Sequence, residues 1–455
     1  MKRLLIGILA LGLVIAFAAP AAAADVKVSG EYKIQGFYIN NQALQDPGNT
    51  SDAFYTQRLR VATTFAVNQR LMINTRFDAM EGVMGAGDGL VYDPAGVPKG
   101  TPGAAEETNI DIDYVNMTIL SNCGKFDIGY LRDGVYGTGF GDAEIFVPKA
   151  SWTLPIKGTK FINFFQVKKM TENDWNTLNN ATDLDEDRYM WIGMYLEKTW
   201  QAALLLQYHR TADNRQLWPT IPAAGFENKQ ELFLVSPYFK GTFGDLYLEA
   251  QVYWFAMGDL EWENNTAAAA ASRAGAGAYG QDMDVEGLSY YIKAQYDLGP
   301  AYVGALYGMA TGDDPNDITT AGGALSGGAD WDPMLILWNS ELAKWGGAMG
   351  PAAGNQTGDT MSNASLFQLF AGYQVNKDLE IFASYGFAKA DEVAAGTDDS
   401  IGNEFDLKAT YKMFENLEYE VAFGYFWSDD WYKAGAAVPQ VDDNYLLFHK
   451  LTLNF

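Results

Sequence analysis

Apolar and polar residues alternate along many segments of this sequence. From residue 26 to residue 35 the even-numbered positions read Val, Val, Gly, Tyr, Ile, and the odd-numbered ones read Lys, Ser, Glu, Lys, Gln. Residues 405–413 and 417–427 repeat the pattern, with an apolar side chain at every second position. Because successive side chains of a strand point to opposite faces, each segment predicts a β-strand with one apolar and one polar face. No segment after residue 24 has the roughly 18 consecutive apolar residues that a membrane-spanning helix needs.

The connections between these segments alternate in length. Residues 121–124 and 376–378 are typical short connections, whereas residues 81–108 and 312–363 are long ones. Sorting by length is typical of a transmembrane barrel, in which short periplasmic turns alternate with long external loops. The sequence therefore predicts an all-β protein, a transmembrane antiparallel up-and-down β-barrel of 18 strands. The segment 143–154 contains a proline and alternates poorly, and dropping it with one partner gives the alternative of 16 strands.

The N-terminus has the features of a secretory signal peptide. Lys2 and Arg3 precede a long apolar run, which ends in a proline and several alanines. This order of basic, apolar and small residues predicts cleavage between Ala24 and Asp25. A membrane anchor is less favoured, because the run is short and ends in small residues. We therefore expect a signal peptide over residues 1–24 and one barrel domain over residues 25–455, located in the cell outer membrane.

Composition excludes several functional classes. The chain has 31 Lys and Arg against 57 Asp and Glu, a net charge of −26, which argues against nucleic-acid binding. The lone Cys123 excludes an internal disulfide framework and thiolate zinc sites, so we expect neither a metal nor a cofactor. The two histidines, His209 and His449, have no serine and acid signature nearby. Because hydrolytic barrels need such a constellation, we expect no enzymatic activity.

The number of strands sets the width of a barrel. About 8 strands leave a lumen that side chains fill, whereas roughly 16–18 leave an aqueous channel. The polar parity of the predicted strands carries charged or small residues, so we expect a wet lumen. On two adjacent strands this parity includes four arginines, which are Arg58, Arg60, Arg70 and Arg76. They form either a basic pore wall that acts on solutes or ordinary salt bridges that stabilise the wall.

The last third of the chain has acidic residues on the polar parity. They are Glu404, Asp406, Glu418 and Glu420. An acidic lumen face predicts a weak preference for cations. Many other acids lie in the predicted loops, where they would bind divalent cations beside lipopolysaccharide and leave selectivity unchanged.

Two stretches resemble Gram-negative porins, in particular the outer membrane homotrimeric porins. Residues 129–134 (GYLRDG) and 139–142 (GFGD) are similar to the fifth strand and the third external loop of that family. The C-terminal segment has apolar residues on one parity from Tyr445 and ends in Phe455. It resembles the aromatic signal that the outer-membrane assembly machinery reads, although His449 interrupts the apolar parity.

The resemblance has implications for the lumen and for assembly. It implies that the third loop folds into the barrel and narrows it, with Arg132, Asp133, Asp142 and Glu144 in or beside the constriction. Arginines on the wall that face acids on the loop would then set a transverse field. The resemblance also implies a homotrimer embedded in outer-membrane lipid and lipopolysaccharide.

These features predict a porin that forms a water-filled channel for passive diffusion of small hydrophilic solutes and ions. Two alternatives remain, which are a substrate-specific channel, for example for a sugar or an organic acid, and a structural or adhesive barrel that acts through its loops. Residues 331–347 (WDPMLILWNSELAKWGG) are unusually apolar for an external loop. This segment could fold inward, pack on a neighbouring subunit or add a short element.

Overall fold

Eighteen long strands, paired in chain order, close into one antiparallel barrel. The computed structural model describes residues 25–45, 51–85, 110–172, 183–212, 227–263, 266–275, 280–317, 319–435 and 437–455. The strands are β1 (Asp25–Asn40), β2 (Ser51–Asn68), β3 (Leu71–Val83), β4 (Ile110–Ser121), β5 (Gly124–Asp133), β6 (Ile145–Pro155), β7 (Phe161–Thr171), β8 (Glu186–Leu196), β9 (Trp200–Thr211), β10 (Asn228–Phe243), β11 (Leu246–Trp262), β12 (Met283–Val285), β13 (Leu288–Leu298), β14 (Ala301–Ala310), β15 (Thr320–Ala321), β16 (Ala364–Asn376), β17 (Leu379–Ala390), β18 (Ser400–Phe414), β19 (Leu417–Ser428) and β20 (Asn444–Asn454). Because β12 and β15 are short strands within loops, the wall has the predicted 18 strands, and the alternative of 16 is wrong.

Closure of the barrel depends on β20, which pairs with both β19 and β1. Gly36 on β1 lies opposite His449 on β20, and Phe37 lies opposite Phe448. Gly30 and Phe455 exchange two backbone hydrogen bonds, with N···O distances of 2.8 and 3.0 Å. A closed ladder leaves no sheet edge with unpaired backbone groups, which is the condition for crossing a bilayer with strands.

Large apolar side chains cover the outer face of the wall. Leu369, Leu407, Val421 and Leu447 are each between 44% and 52% exposed, although they lie in the middle of long strands. Such a continuous apolar surface is costly in water and suits the hydrocarbon of a membrane. The predicted alternation therefore has its apolar parity outside and its polar parity in the lumen.

Two α-helices lie in the long connections. They are α1 (Ala267–Gly275), between β11 and β12, and α2 (Ser340–Gly346), between β15 and β16. Asn339 caps α2, because its side chain accepts a hydrogen bond of 2.8 Å from the Leu342 amide. Among the described residues, no helix is long and apolar enough to span a membrane.

The hairpin of β5 and β6 separates from its neighbours at the end with the long loops. Pairing of β4 with β5 ends at Val115 and Tyr130, and pairing of β6 with β7 ends at Lys149, but β5 and β6 stay paired up to Asp133. The residue before Lys149 is Pro148, which has no N–H to donate to a neighbouring strand. Pro148 thus accounts for the end of pairing with β7, and the predicted strand 143–154 forms as β6 through its pairing with β5.

Candidate functional site

The connection between β5 and β6, called loop A here (residues 134–144), crosses the lumen to the opposite wall. The Thr138 amide donates to Oε1 of Gln251 on β11 at 2.6 Å, and the Tyr136 hydroxyl donates to the Ser236 carbonyl on β10 at 3.0 Å. Phe140 is fully buried and stacks on Tyr291 of β13, with 5.6 Å between the ring centroids. The third external loop therefore folds into the barrel, in agreement with the implication of the resemblance.

A second connection also enters the lumen. It joins β14 to β16 and is called loop B here (residues 311–363). The amides of Ile336 and Leu337 donate to the two carboxylate oxygens of Glu404, at 2.6 and 2.8 Å. The Leu335 amide donates to the Asp406 carboxylate at 3.2 Å. Glu404 is 0% exposed and Asp406 is 3% exposed, so this pair, called the carboxylate clamp here, is covered by loop B.

The apolar segment 331–347 folds inward and includes the short helix α2. Its apolar side chains are buried among lumen-facing residues of the wall, and these buried residues are Trp331, Met334, Ile336, Leu337, Trp338 and Leu342. On the wall side the cluster includes Phe37 of β1, Leu366 of β16 and Phe426 of β19. Removal of these side chains from lumen water stabilises the inward position of loop B.

Loops A and B bind each other as well as the wall. The Gly328 amide donates to the Phe140 carbonyl at 2.7 Å, and the Asp330 amide donates to the Asp142 carbonyl at 2.9 Å. The Trp331 ring meets the Phe140 ring edge-on, with 4.8 Å between their centroids. The two loops thus form one insert, which we call the loop plug.

Three of the four predicted wall arginines lie together opposite loop A. Arg58 binds Glu31 at 2.9 Å, and Arg60 makes two hydrogen bonds of 2.7 Å with Asp78. Arg76 binds Asp113 at 2.5 Å. Each guanidinium is therefore paired with a carboxylate of the wall.

Arg70 does not belong to this group. It lies in the turn between β2 and β3 and is exposed, with its backbone amide bound to the Asn68 side chain. Arg70 has the parity of the wall arginines, and its carbonyl accepts from the Leu120 amide of β4 at 2.8 Å. Arg70 thus lies at the short turn, apart from the other three arginines.

Glu144 at the end of loop A faces the arginines. Arg76 donates to both of its carboxylate oxygens, at 3.0 and 2.9 Å, and Arg132 also forms an ion pair with it. Burial alone would raise the pKa of Glu144, but the hydrogen bonds from Arg76 and the charge of Arg132 hold that pKa below its ordinary value. The structure thus places an acid of the loop in direct contact with arginines of the wall.

The other predicted residues of loop A have different surroundings. Asp133 is buried between Lys149, at 3.0 Å, and Lys168, at 2.5 Å, so it anchors the base of the hairpin. Asp142 has a raised pKa, because it is partly buried and lies near the acids Asp330 and Glu144, whereas Arg132 acts in the opposite direction. The Asp142 carbonyl accepts from the Asp330 amide of loop B, and the Asp142 side chain lies beside the charged group that Glu144 forms with the arginines.

Polar cavities follow the side of the lumen formed by β1 to β5. An outer cavity of 780 Å³ is lined by Arg58, Glu81, Glu144, Asp330 and Lys344 among others. Below it, a cavity of 960 Å³ towards the short turns is lined by side chains that include Ser29, Thr64, Asn74 and Asn116. The wall arginines and Glu144 lie between these two cavities. Arg58 and Glu144 line the outer cavity and Arg132, which pairs with Glu144, lines the lower one, so the charged group borders both cavities.

The opposite side of the lumen is not wet. Lumen-facing side chains of β8, β9 and β10 form a buried apolar cluster, and Tyr136 of loop A packs on it. Its members on these strands are Met190, Ile192, Ala203, Leu205, Leu232, Leu234 and Tyr238. The lumen face of β8, β9 and β10 thus carries apolar side chains besides the charged or small residues that the sequence predicted.

The predicted acidic face is divided among three positions. Glu404 and Asp406 form the carboxylate clamp and do not face open water. Glu420 lies between two cations, at 3.6 Å from Lys408 and 3.4 Å from Lys450. Glu418 is exposed beside the short turn of β18 and β19. The four acids do not form the continuous acidic surface that the sequence suggested.

A third cavity of 530 Å³ lies beneath loop B and has both aromatic and basic lining. Lys293 lies over the Phe370 ring at 5.2 Å, and Lys408 lies over the Phe382 ring at 5.5 Å. The two rings stack with 6.1 Å between their centroids. Trp331, Met334 and Leu335 line the side of this cavity that loop B covers. The parity of these residues was visible in the sequence, but the cavity itself depends on the position of loop B.

Neither histidine belongs to a reactive group. His209 faces the lumen on β9, where it contacts Gln207 and the edge of Phe255. His449 lies on the outer face between the rings of Tyr55 and Tyr419. Within the described ranges, no three His, Cys, Asp or Glu side chains come together as metal ligands would.

A closed antiparallel barrel of 18 strands, with long loops folded into the lumen, is the architecture of the outer-membrane porins. The fold is similar to that of OccK9 (OpdG) of Pseudomonas aeruginosa, with a TM-score of 0.50 and 15% identity over 94% of this chain and 99% of that chain. A BenF-like porin of Pseudomonas fluorescens Pf-5 gives 0.48 and 12% identity over 94% and 99% of the two chains. OmpT of Vibrio cholerae gives 0.39 and 13% over 96% and 100%.

No family model matches the sequence, and no curated protein matches it either. At 15% identity, the likeness to OccK9 shows the fold. The chain therefore has the closed 18-strand barrel fold of the outer-membrane porins.

Proposed function

We propose that this protein is a channel for passive diffusion of small hydrophilic solutes and ions. The observation that carries the proposal is the chain of polar cavities along β1 to β5, which the loop plug leaves unfilled. Between these cavities lie the wall arginines Arg58, Arg60 and Arg76, and Glu144 of loop A pairs with Arg60 at 3.7 Å and with Arg76 at 2.9 Å. Because fixed charges of both signs favour hydrated and dipolar species over apolar ones, this region is suited to water-soluble solutes.

Conductance in a planar bilayer tests the proposed function. We expect the purified folded protein to add discrete ohmic steps, and a salt gradient to give a small reversal potential, because each wall arginine is paired with a carboxylate. The same sample unfolded by heat serves as the control. Folded protein that inserts into the bilayer and never conducts would rule out a diffusion channel and would favour a structural or adhesive barrel.

A second candidate function is selective uptake of small organic anions that have an aromatic or apolar part. The third cavity supports it, since Lys293 and Lys408 lie over two stacked phenyl rings. The cavity offers cations beside apolar rings, which together suit an aromatic carboxylate, and the acids of its lining, such as Glu249 and Glu341, oppose the binding of further negative charge. The only salt bridge of Lys408 within the described structure is with Glu420, which Lys450 shares.

Flux measurements with a planar probe test this candidate. We expect the double variant Lys293→Gln, Lys408→Gln to lower the flux of benzoate into liposomes several-fold, because both cations are removed, while the flux of a neutral sugar stays the same. Lys389→Gln, a change on the external end of β17, is the matched control. Equal loss of both fluxes would indicate a general effect on the pore instead of selectivity.

We also propose that residues 1–24 are removed on export and that the outer-membrane assembly machinery recognises Phe455. We further propose that three copies of the mature chain assemble in a membrane that contains lipopolysaccharide. His449 supports the assembly, because a polar ring on the outer face at mid-strand is costly in lipid and would be less so at a contact with another copy. Native mass spectrometry of the complex from outer membranes should give three times the mass of residues 25–455. A single copy, or a mass that includes residues 1–24, would contradict the assembly or the processing, respectively.

A further inference from the structure

The lower cavity, the space of 960 Å³ towards the short turns, has a row of neutral polar side chains in its lining. Thr64 of β2 lies opposite Asn74 of β3, and Asn74 lies opposite Asn116 of β4. Strand pairing therefore places one hydroxyl group and two amide groups side by side at one height of the wall. The volume of the cavity is within the range of about 300–1,000 Å³ that is typical of ligand sites.

Hydrogen bonds fix the orientation of this row. The Thr64 hydroxyl donates to Oδ1 of Asn74 at 3.0 Å, and the Asn74 amino group donates to Oδ1 of Asn116 at 3.0 Å. The Asn74 amino group also donates to the Thr118 hydroxyl at 3.0 Å, and that hydroxyl donates to Asp127 at 2.6 Å. Because these bonds already order the side chains, a solute that binds the row does not have to order them.

The row ends in groups that can still bind a solute. Within the described structure, the amino group of Asn116 has no hydrogen-bond partner, and Asn116 lines the cavity. The hydroxyl group of Ser29 on β1 is exposed in the same lining. An amino group beside hydroxyl and amide oxygens offers donors and acceptors together, which complements a solute with several hydroxyl groups.

The charged side chains of the lower cavity are largely paired. Lys125 binds Asp127 at 2.7 Å, and Arg132 forms its ion pair with Glu144. Among the charged residues of the described lining, Lys27 alone lies outside these pairs. A solute therefore needs no charge of its own to satisfy the hydrogen-bonding groups of this cavity.

We propose that the row of Thr64, Asn74 and Asn116 is a binding site for a neutral polyhydroxylated solute, which is a small sugar or polyol. The hydroxyl groups of the solute bind the row, and its C–H groups pack on the ring of Tyr114, which belongs to the same lining. This inference rests on the proposed channel function and names a class of solute for it.

Saturation-transfer NMR on the folded protein in detergent micelles tests the site without any need for conduction. Sorbitol is the probe, and triethylene glycol, with the same number of carbons but hydroxyl groups only at its two ends, is the comparison solute. We expect sorbitol to give a signal several-fold stronger than that of triethylene glycol. Asn116→Leu and Thr64→Val preserve side-chain size and remove the polar groups, so each should lower the sorbitol signal several-fold. Gln295→Leu, which removes an amide from the third cavity, is the matched control and should leave the signal unchanged.

Three results would overturn the site. They are equal signals from sorbitol and triethylene glycol, wild-type sorbitol signals in both variants of the row, and binding of gluconate without binding of sorbitol. The last result would show that the cations of the lining, and not the neutral row, recognise the solute. Sorbitol binding that depends on Asn116, in a protein that never conducts in a planar bilayer, would support the site and contradict the channel function.

Discussion

Deletion of residues 328–360 is expected to raise the single-channel conductance several-fold. The deleted part of loop B contains the whole apolar segment that fills the lumen beneath the external loops. A barrel of 18 strands without such an insert is wide enough for an aqueous channel. The ends of the deletion are already adjacent, since the Gly327 amide donates to the Met361 carbonyl at 2.8 Å. Two glycines therefore suffice to join them without strain.

The barrel itself should survive this deletion. The hydrogen bonds of the wall run between strands and none of them involves residues 328–360. The deletion does expose lumen-facing apolar residues such as Leu366 and Phe426, so we expect lower resistance to heat along with the higher conductance. Shortening of the external loop at residues 393–397 is the matched control and should leave the conductance unchanged. A conductance equal to that of the wild-type protein would show that loop B does not obstruct the pore.

Glu404→Ala is expected to release loop B without removing it. The two amides that bind Glu404, those of Ile336 and Leu337, are buried and would lose their acceptor. A buried donor without a partner costs about 1–3 kcal/mol. Loss of the acceptor for both amides therefore destabilises the inward position of loop B by about 2–6 kcal/mol. Part of this cost is recovered, because a carboxylate no longer has to be buried without a cation. Channel records should then show a new, larger conductance level that alternates with the wild-type level.

Glu418→Ala is the matched control for this experiment. Glu418 has the same residue type and the same parity, and the sequence assigned it to the same acidic face, but it is exposed beside a short turn. Its removal should change neither the levels nor the thermal stability. The prediction for Glu404 would be contradicted if both variants behaved alike, because the difference between them is the contact with loop B. In that case the two acids would act only through their charge.

The constriction shows the limit of inference from parity. Arg58, Arg60 and Arg76 share a face because side chains alternate along a strand, and this much is local. Their meeting with Glu144 joins residues that are 68 positions apart in the case of Arg76. The resemblance to porins pointed to the third loop, but alternation alone contains no information about where a loop folds. Arg70 shares the parity of these arginines but lies in the turn before β3, and alternation alone does not separate a turn residue from a strand residue.

The sequence by itself determined the barrel. The predicted number of 18 strands is confirmed, because a wall between lipid outside and water inside requires an apolar side chain at every second position of each strand. Only the tertiary structure decided how the lumen is used. Loop B is held by contacts such as Ile336 to Glu404, across 68 residues, and by burial of its tryptophans against the wall. These contacts exist only once the barrel has closed, since closure brings the two sides of the wall to opposite faces of the loop.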